Sequence, residues 1–179
     1  MISGLSHGFS SGTPLTLDQG GVHLWHSFPG EVVDELLISR YIEILSKNER
    51  LRYSRFITSE FAIQYLLTRV LIRTVLSQYL DTAPTDWIFR CNAHGKPVID
   101  DSIPLGSDIS FNISHTFGLV VVAVGRSMCI GIDAEPVDRL TTPEIADRVL
   151  TEGEVAAIRK LPLAEQKRRF IELWTLKES

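Results

Sequence analysis

The sequence is poor in cysteine and methionine, has no long apolar run and carries no excess of positive charge. Its 179 residues include 2 Cys and 2 Met. Cys91 and Cys129 are far apart and in no metal-ligand spacing, which excludes a disulfide framework and a cysteine-built metal site. The longest apolar stretch of note, Leu119-Val-Val-Val-Ala-Val124, falls well short of the roughly 18 residues of a membrane span. The start of the chain lacks the basic-then-apolar pattern of a secretory signal, so a cytoplasmic protein with reduced thiols is expected. With 18 Lys and Arg against 22 Asp and Glu, the formal charge is −4. A dedicated nucleic-acid binder would show a basic footprint instead.

What is present is an ordinary globular composition, with 44% hydrophobic and 22% charged residues. A chain of this length buries roughly 70% of its unfolded surface without help from a metal or disulfide. One domain, or two closely packed lobes, fits. Residues 1–21, rich in Ser, Gly and Thr, read as a flexible leader. Val22 to His26 has a strand pattern with apolar Val22 and Leu24 on one face. The spacing Ser46-Lys-Asn-Glu49 is that of a capping box opening a helix. From about Glu60 to Leu80, apolar residues recur at helical spacing. Strands are expected at Trp87–Arg90, Pro97–Ile99, Phe111–Ile113, Leu119–Val124 and Ile130–Glu135. Helices are expected from Thr142-Pro143, from Thr151 with its partner Glu154, and from about Leu163 onward. The order predicts an α+β fold.

Several constellations could carry chemistry. Arg69 and Arg73 lie four apart on one helix face, where like charges repel, so something anionic should meet them. A salt bridge within the chain is the plainer alternative. Arg50, Arg52 and Arg55 add to this basic patch. His94-Gly-Lys-Pro97 makes a turn whose glycine would admit a ligand beside a cation. Ser114 and His115 stand at a strand end. Asp133 and Glu135, two apart on the expected strand, would project from one face and repel unless a cation came between them. Oxygen-only ligands suit Mg²⁺. Glu178 falls in helical register with Ile171 and Trp174. Glu154 is explained by its capping box alone. Spacing by itself thus suggests a Mg²⁺-dependent enzyme acting on a phosphorylated ligand.

Taken in order, Gly95-Lys-Pro97, Phe111-Asn-Ile-Ser-His115, Gly131-Ile-Asp-Ala-Glu135 and Trp174-Thr-Leu-Lys-Glu-Ser179 form a specific set. The set resembles the 4′-phosphopantetheinyl transferases of the surfactin-synthetase-activating type, over about Ser46 to Ser179. The resemblance implies two pseudo-symmetric α/β lobes with coenzyme A between them, here an N-terminal lobe over 22–108 and an incomplete C-terminal lobe over 109–179. It implies Mg²⁺-dependent transfer of 4′-phosphopantetheine from coenzyme A to a serine of an acyl or peptidyl carrier protein, releasing adenosine 3′,5′-bisphosphate. By position, Arg52, His94, Gly95, Lys96, Pro97, Asn112, Ser114 and His115 match the coenzyme-binding residues. Asp133, Glu135 and Glu178 match the metal ligands, and Lys177 and Glu178 match the catalytic pair. Glu178 is the candidate base, with a water on the metal as the alternative relay. The resemblance further implies a monomer, and acidic carrier proteins would suit the basic runs Arg159-Lys160 and Lys167-Arg-Arg169.

The chain stops at Ser179, ahead of the Lys that closes the family's last motif, so a fragment of a longer protein is expected. Two other readings compete with the transferase. One is a non-catalytic coenzyme A or carrier-protein binding remnant. The other is a Mg²⁺-dependent phosphohydrolase that uses water in place of a carrier serine.

Overall fold

Between Ser59 and Leu76 the sequence has neither Pro nor Gly, and its second half is buried on nearly every side. Such a helix has to be covered all round. The computed structural model, which describes residues 13–139 and 143–179, places it at the centre of the first half of the chain. Helices α1 (Glu35–Ile44) and α2 (Lys47–Tyr53) precede this helix, α3 (Ser59–Leu76). Tyr41, Ile44 and Leu45 pack against Leu66, Leu67 and Val70 on one side of α3. On its other side Leu71, Ile72, Val75 and Leu76 meet a three-stranded antiparallel sheet.

That sheet has the order β1–β5–β4, built from Val22–Ser27, Leu119–Arg126 and Ile109–Thr116. Val120, Val122 and Val124 of the central strand alternate toward α3 and are fully buried. A separate hairpin pairs β2 (Phe89–Cys91) with β3 (Pro97–Ile99). The described chain from Pro143 onward is helical: α4 (Pro143–Val149), α5 (Glu152–Arg159) and α6 (Leu163–Glu178). These enclose a smaller core of Leu150, Val155, Ile158, Phe170 and Ile171. The architecture is α+β, as expected.

Both capping boxes form as read, at Ser46/Glu49 and at Thr151/Glu154. Pro143 opens its helix, while Thr142 lies outside the described residues. Residues 1–12 of the stretch read as a leader also lie outside them. Within its remainder Leu17 is buried in the main core and the Leu15 N–H donates to the Gln78 carbonyl at 2.6 Å.

Three expectations need correction. The long helix ends at Leu76, not Leu80, because the Ser77 hydroxyl takes over: it donates to Thr82 O and accepts the Trp87 indole N–H. On β1 the apolar face of Val22 and Leu24 points outward, and His23 and Trp25 turn in. That inversion is possible because the buried Tyr79 hydroxyl accepts the Trp25 indole N–H and pairs with His23 Nδ1, each at 2.8 Å. Ile130–Glu135 forms no strand. After β5 the chain reverses at Ser127, whose φ is 51°, and the following segment is tied down by side chains instead of a ladder.

Arg73 is 2% exposed. Its guanidinium donates to the carbonyls of Pro84 and Trp87 and to Glu49 Oε2, the last at 2.8 Å. Glu49 Oε2 also accepts the Ser46 N–H of the capping box. Removing one partner of a buried pair strands the other, at a cost of about 3–5 kcal/mol. Arg73→Met is therefore expected to lower the unfolding free energy from urea titration by that order, and Glu49→Gln in the same chain to return part of the loss. An Arg73→Met protein as stable as the parent would rule this out.

Candidate functional site

Asn92 shapes the turn between β2 and β3. Its side-chain carbonyl accepts the backbone N–H of His94 and of Lys96, at 2.9 and 3.0 Å. Its own backbone closes the loop onto Lys96 O and Gly95 N–H. Gly95 sits at φ 77°, a conformation that favours glycine. The turn aims Lys96 across the molecule, where Nζ donates to Ile130 O at 2.6 Å. His94 stays exposed and Pro97 begins β3.

Ser114, on β4, holds the same segment from the other side. Its hydroxyl donates to Asp133 Oδ1 at 3.0 Å and accepts the Ala134 N–H at 3.1 Å. Asp133 Oδ2 is buried without a hydrogen-bond partner. Gly131 lies directly against the end of α6: a Cβ there would run into the carbonyl of Ser179. All four sequence motifs therefore meet along residues 130–134.

The remaining candidates are less gathered. Glu135 is paired with Arg139, whose guanidinium carbon stands 5.1 Å from the Trp174 ring centroid. Lys177 Nζ is 3.0 Å from Glu154 Oε2, linking α6 to α5. Glu178 is exposed and, among the described residues, has no hydrogen-bond or ion-pair partner. Among the described residues no three His, Cys, Asp or Glu side chains stand close enough together to hold a metal ion. Asn112 Oδ1 accepts the neighbouring Ile113 N–H, and His115 is exposed near the end of β4.

The basic patch divides in two. The anion that meets Arg73 is Glu49, with Arg69 Nε at 4.0 Å from its other oxygen. These arginines are taken up inside the fold. Arg50 is also engaged, donating to Glu43 O in the last turn of α1 and to Leu45 O just past it. Arg52 and Arg55 instead line an open cleft of about 580 Å³ with Asn48, Leu51 and Phe56. Arg52 lies 5.3 Å from the Tyr65 ring centroid, which orients it without neutralising it.

Two family profiles match consecutive segments of the chain. The one described as 4′-phosphopantetheinyl transferase, N-terminal, matches residues 34–127, and that of the 4′-phosphopantetheinyl transferase superfamily matches residues 129–179. The chain belongs to the 4′-phosphopantetheinyl transferase family. It is 31% identical to the 4′-phosphopantetheinyl transferase HetI of Nostoc sp., over 92% of this chain and 69% of that one. It is 34% identical to gsp of Aneurinibacillus migulanus over 75% of this chain and 54% of the relative. Against Sfp of Bacillus subtilis the identity is 35%, over 78% and 60%. The chain thus spans 54% to 69% of the length of these transferases. The two family segments join at the Ser127 reversal, so the contacts of Lys96 and Ser114 with Ile130, Asp133 and Ala134 cross that join.

Sequence reasoning missed Asn92 and Arg139. The first had a signal, an Asn three residues before a turn glycine. The second had the spacing Glu135/Arg139, but outside a helix that spacing does not specify a contact.

The Glu154 carboxyl is held below the ordinary glutamate range, first by the Thr151 backbone N–H and then by Lys177. A depressed folded value means that its contribution is present above the unfolded value and lost as pH falls through the folded one. Lys177→Met is expected to move the Glu154 titration upward, toward the ordinary range, when followed by carboxyl NMR. An unmoved titration would show that the Lys177 contact is absent in solution.

Proposed function

We propose that this chain carries the coenzyme A and carboxylate sites of a Mg²⁺-dependent 4′-phosphopantetheinyl transferase. The reaction moves phosphopantetheine from coenzyme A to a serine of an acyl or peptidyl carrier protein and releases adenosine 3′,5′-bisphosphate. One observation carries the reading: residues 130–134 are gripped by Lys96 and Ser114 and abut the end of α6, which brings a cation and an unpaired carboxylate oxygen to one place.

The metal fits the donor chemistry. A buried carboxylate oxygen without a partner, as at Asp133, is costly until something positive reaches it. Asp133, Glu135 and Glu178 would supply a hard, all-oxygen set suited to Mg²⁺. Bound there, Mg²⁺ would draw charge from the pyrophosphate of coenzyme A.

The side chains then have separable tasks. Lys96 spends one N–H on Ile130 O and keeps two for phosphate oxygens. Arg52, exposed in its cleft, meets the coenzyme's phosphates, and His94, Gly95 and Pro97 form the wall of the nucleotide site. Asn112, Ser114 and His115 complete that site from β4, with Ser114 also fixing Asp133. The carrier serine oxygen forms its bond to the phosphorus that bears the pantetheine. The bridging P–O bond breaks, and its electron pair leaves with adenosine bisphosphate. Fixed positive charge around the phosphates lowers the barrier because it acts where negative charge develops. The serine proton passes to Glu178, whose carboxylate is exposed at the end of α6. Lys177 holds α6 against α5 through Glu154, which keeps Glu178 in reach.

The test is the intact mass of an apo carrier protein after incubation with this chain, coenzyme A and Mg²⁺. A gain of one phosphopantetheinyl group is expected, with at least a hundredfold slower gain for Asp133→Ala and none in EDTA. Coenzyme A binding without any mass gain would leave a binding remnant. Adenosine bisphosphate released with no carrier present would make the chain a phosphohydrolase. Either result overturns the proposal.

A further inference from the structure

The four motifs leave one feature unexplained, the turn at residues 136–139. The Arg139 N–H donates to Pro136 O at 3.0 Å, and the turn folds the Arg139 guanidinium back onto Glu135. Helix α6 grips this turn twice. Lys167 Nζ donates to Asp138 O at 2.9 Å, and Arg139 lies over the Trp174 ring. Lys167, Trp174 and Glu178 are spaced by seven and then four residues, which places them on one stripe of the helix. A single cation is thus wedged between the segment bearing Asp133 and Glu135 and the helix bearing Glu178.

The two members of the pair differ in what they can tolerate. The Glu135 side chain is 15% exposed and needs a positive partner, whereas that of Arg139 is 42% exposed and can move into water cheaply. Two residues before Glu135, Asp133 Oδ2 is buried and lacks any partner. We infer that Arg139 is an internal counter-cation that holds Glu135 until a divalent cation binds beside Asp133, and then releases it. A dication drawn to Glu135 repels the guanidinium on the same carboxylate, and Arg139 is exposed enough to leave for water. Cation entry and Arg139 departure are therefore one exchange. Arg139 is a positioning residue in this account: it sets how tightly the cation is held, and its departure uncovers the face of Trp174. The inference rests on the metal reading above.

The exchange is tested on the full chain with coenzyme A present. Mn²⁺ is the probe for affinity, counted by the EPR signal of the free ion. Mg²⁺ is the probe for Trp174 fluorescence, with Trp174→Phe identifying the signal. Arg139→Gln is expected to bind Mn²⁺ roughly fivefold more tightly, the scale of a half-exposed ion pair removed from competition. Mg²⁺ should shift the Trp174 emission of the parent and leave that of Arg139→Gln unmoved. Glu135→Gln supplies a second route should Arg139→Gln fold poorly. Without any metal, its Trp174 emission should already match the metal-bound parent. If Arg139→Gln binds Mn²⁺ no more tightly, while Asp133→Asn abolishes binding, the metal reading stands and the exchange is wrong. If neither the parent nor Arg139→Gln takes up Mn²⁺, both fall together. A Glu135→Gln emission equal to that of the metal-free parent also refutes the exchange.

Discussion

Glu49 receives three partners from two parts of the chain, and the first half of the molecule depends on that convergence. One oxygen closes the capping box of α2 and accepts Arg73, and the other lies near Arg69. Arg73 in turn holds the carbonyls of Pro84 and Trp87. Burying a guanidinium is expensive, and the cost is recovered only when its donors find acceptors in good geometry. Once they do, α2, α3 and the loop leading into β2 are fixed relative to one another. The hairpin beyond that loop carries the Gly95 turn, and the turn carries Lys96 to Ile130. A structural ion pair thus anchors the loop that leads into the hairpin bearing Lys96.

This chain of dependence was only partly legible in the sequence. The capping box could be read because it is local: Ser46 and Glu49 meet whenever the helix forms. The repulsion between Arg69 and Arg73 could also be read, and so could the need for an anion. That the anion is Glu49, over twenty residues upstream, could not be read, since its other role already explained it. The same limit applies to β1. Alternation predicted two faces, and the choice between them was made by Tyr79, whose buried hydroxyl gives Trp25 and His23 a reason to turn inward. Propensity assigned Ile130–Glu135 to a strand. The segment runs beside β4, an edge strand, yet single side-chain anchors from Lys96 and Ser114 hold it in place of ladder bonds.

The site residues divide along similar lines. Asp133, Lys96 and Ser114 were singled out from motifs; Ser114 bonds Asp133, and Lys96 bonds Ile130 of the same segment. Glu135 and Glu154 were singled out as carboxylates, yet each has an internal cation, Arg139 and Lys177. The Arg139 contact depends on a turn that pattern alone does not specify. The Lys177 contact depends on the packing of α5 on α6, which only the shared core of Val155, Ile158, Phe170 and Ile171 determines.

This pattern of pairing has an electrostatic consequence. Acidic groups in one region of a fold need compensation from its own cations, its hydrogen bonds or solvent. Here the compensation is uneven. Glu154 and Glu135 are neutralised from within, Asp133 has one oxygen satisfied by Ser114 and one by nothing, and Glu178 is left to solvent. The buried oxygen of Asp133 is where an arriving cation gains most, because water cannot screen it. Internal cations at Glu135 and Glu154 lower the repulsion among these carboxylates. Such pairing compensates both within the fold, whereas the unmet oxygen of Asp133 keeps the cost of its burial.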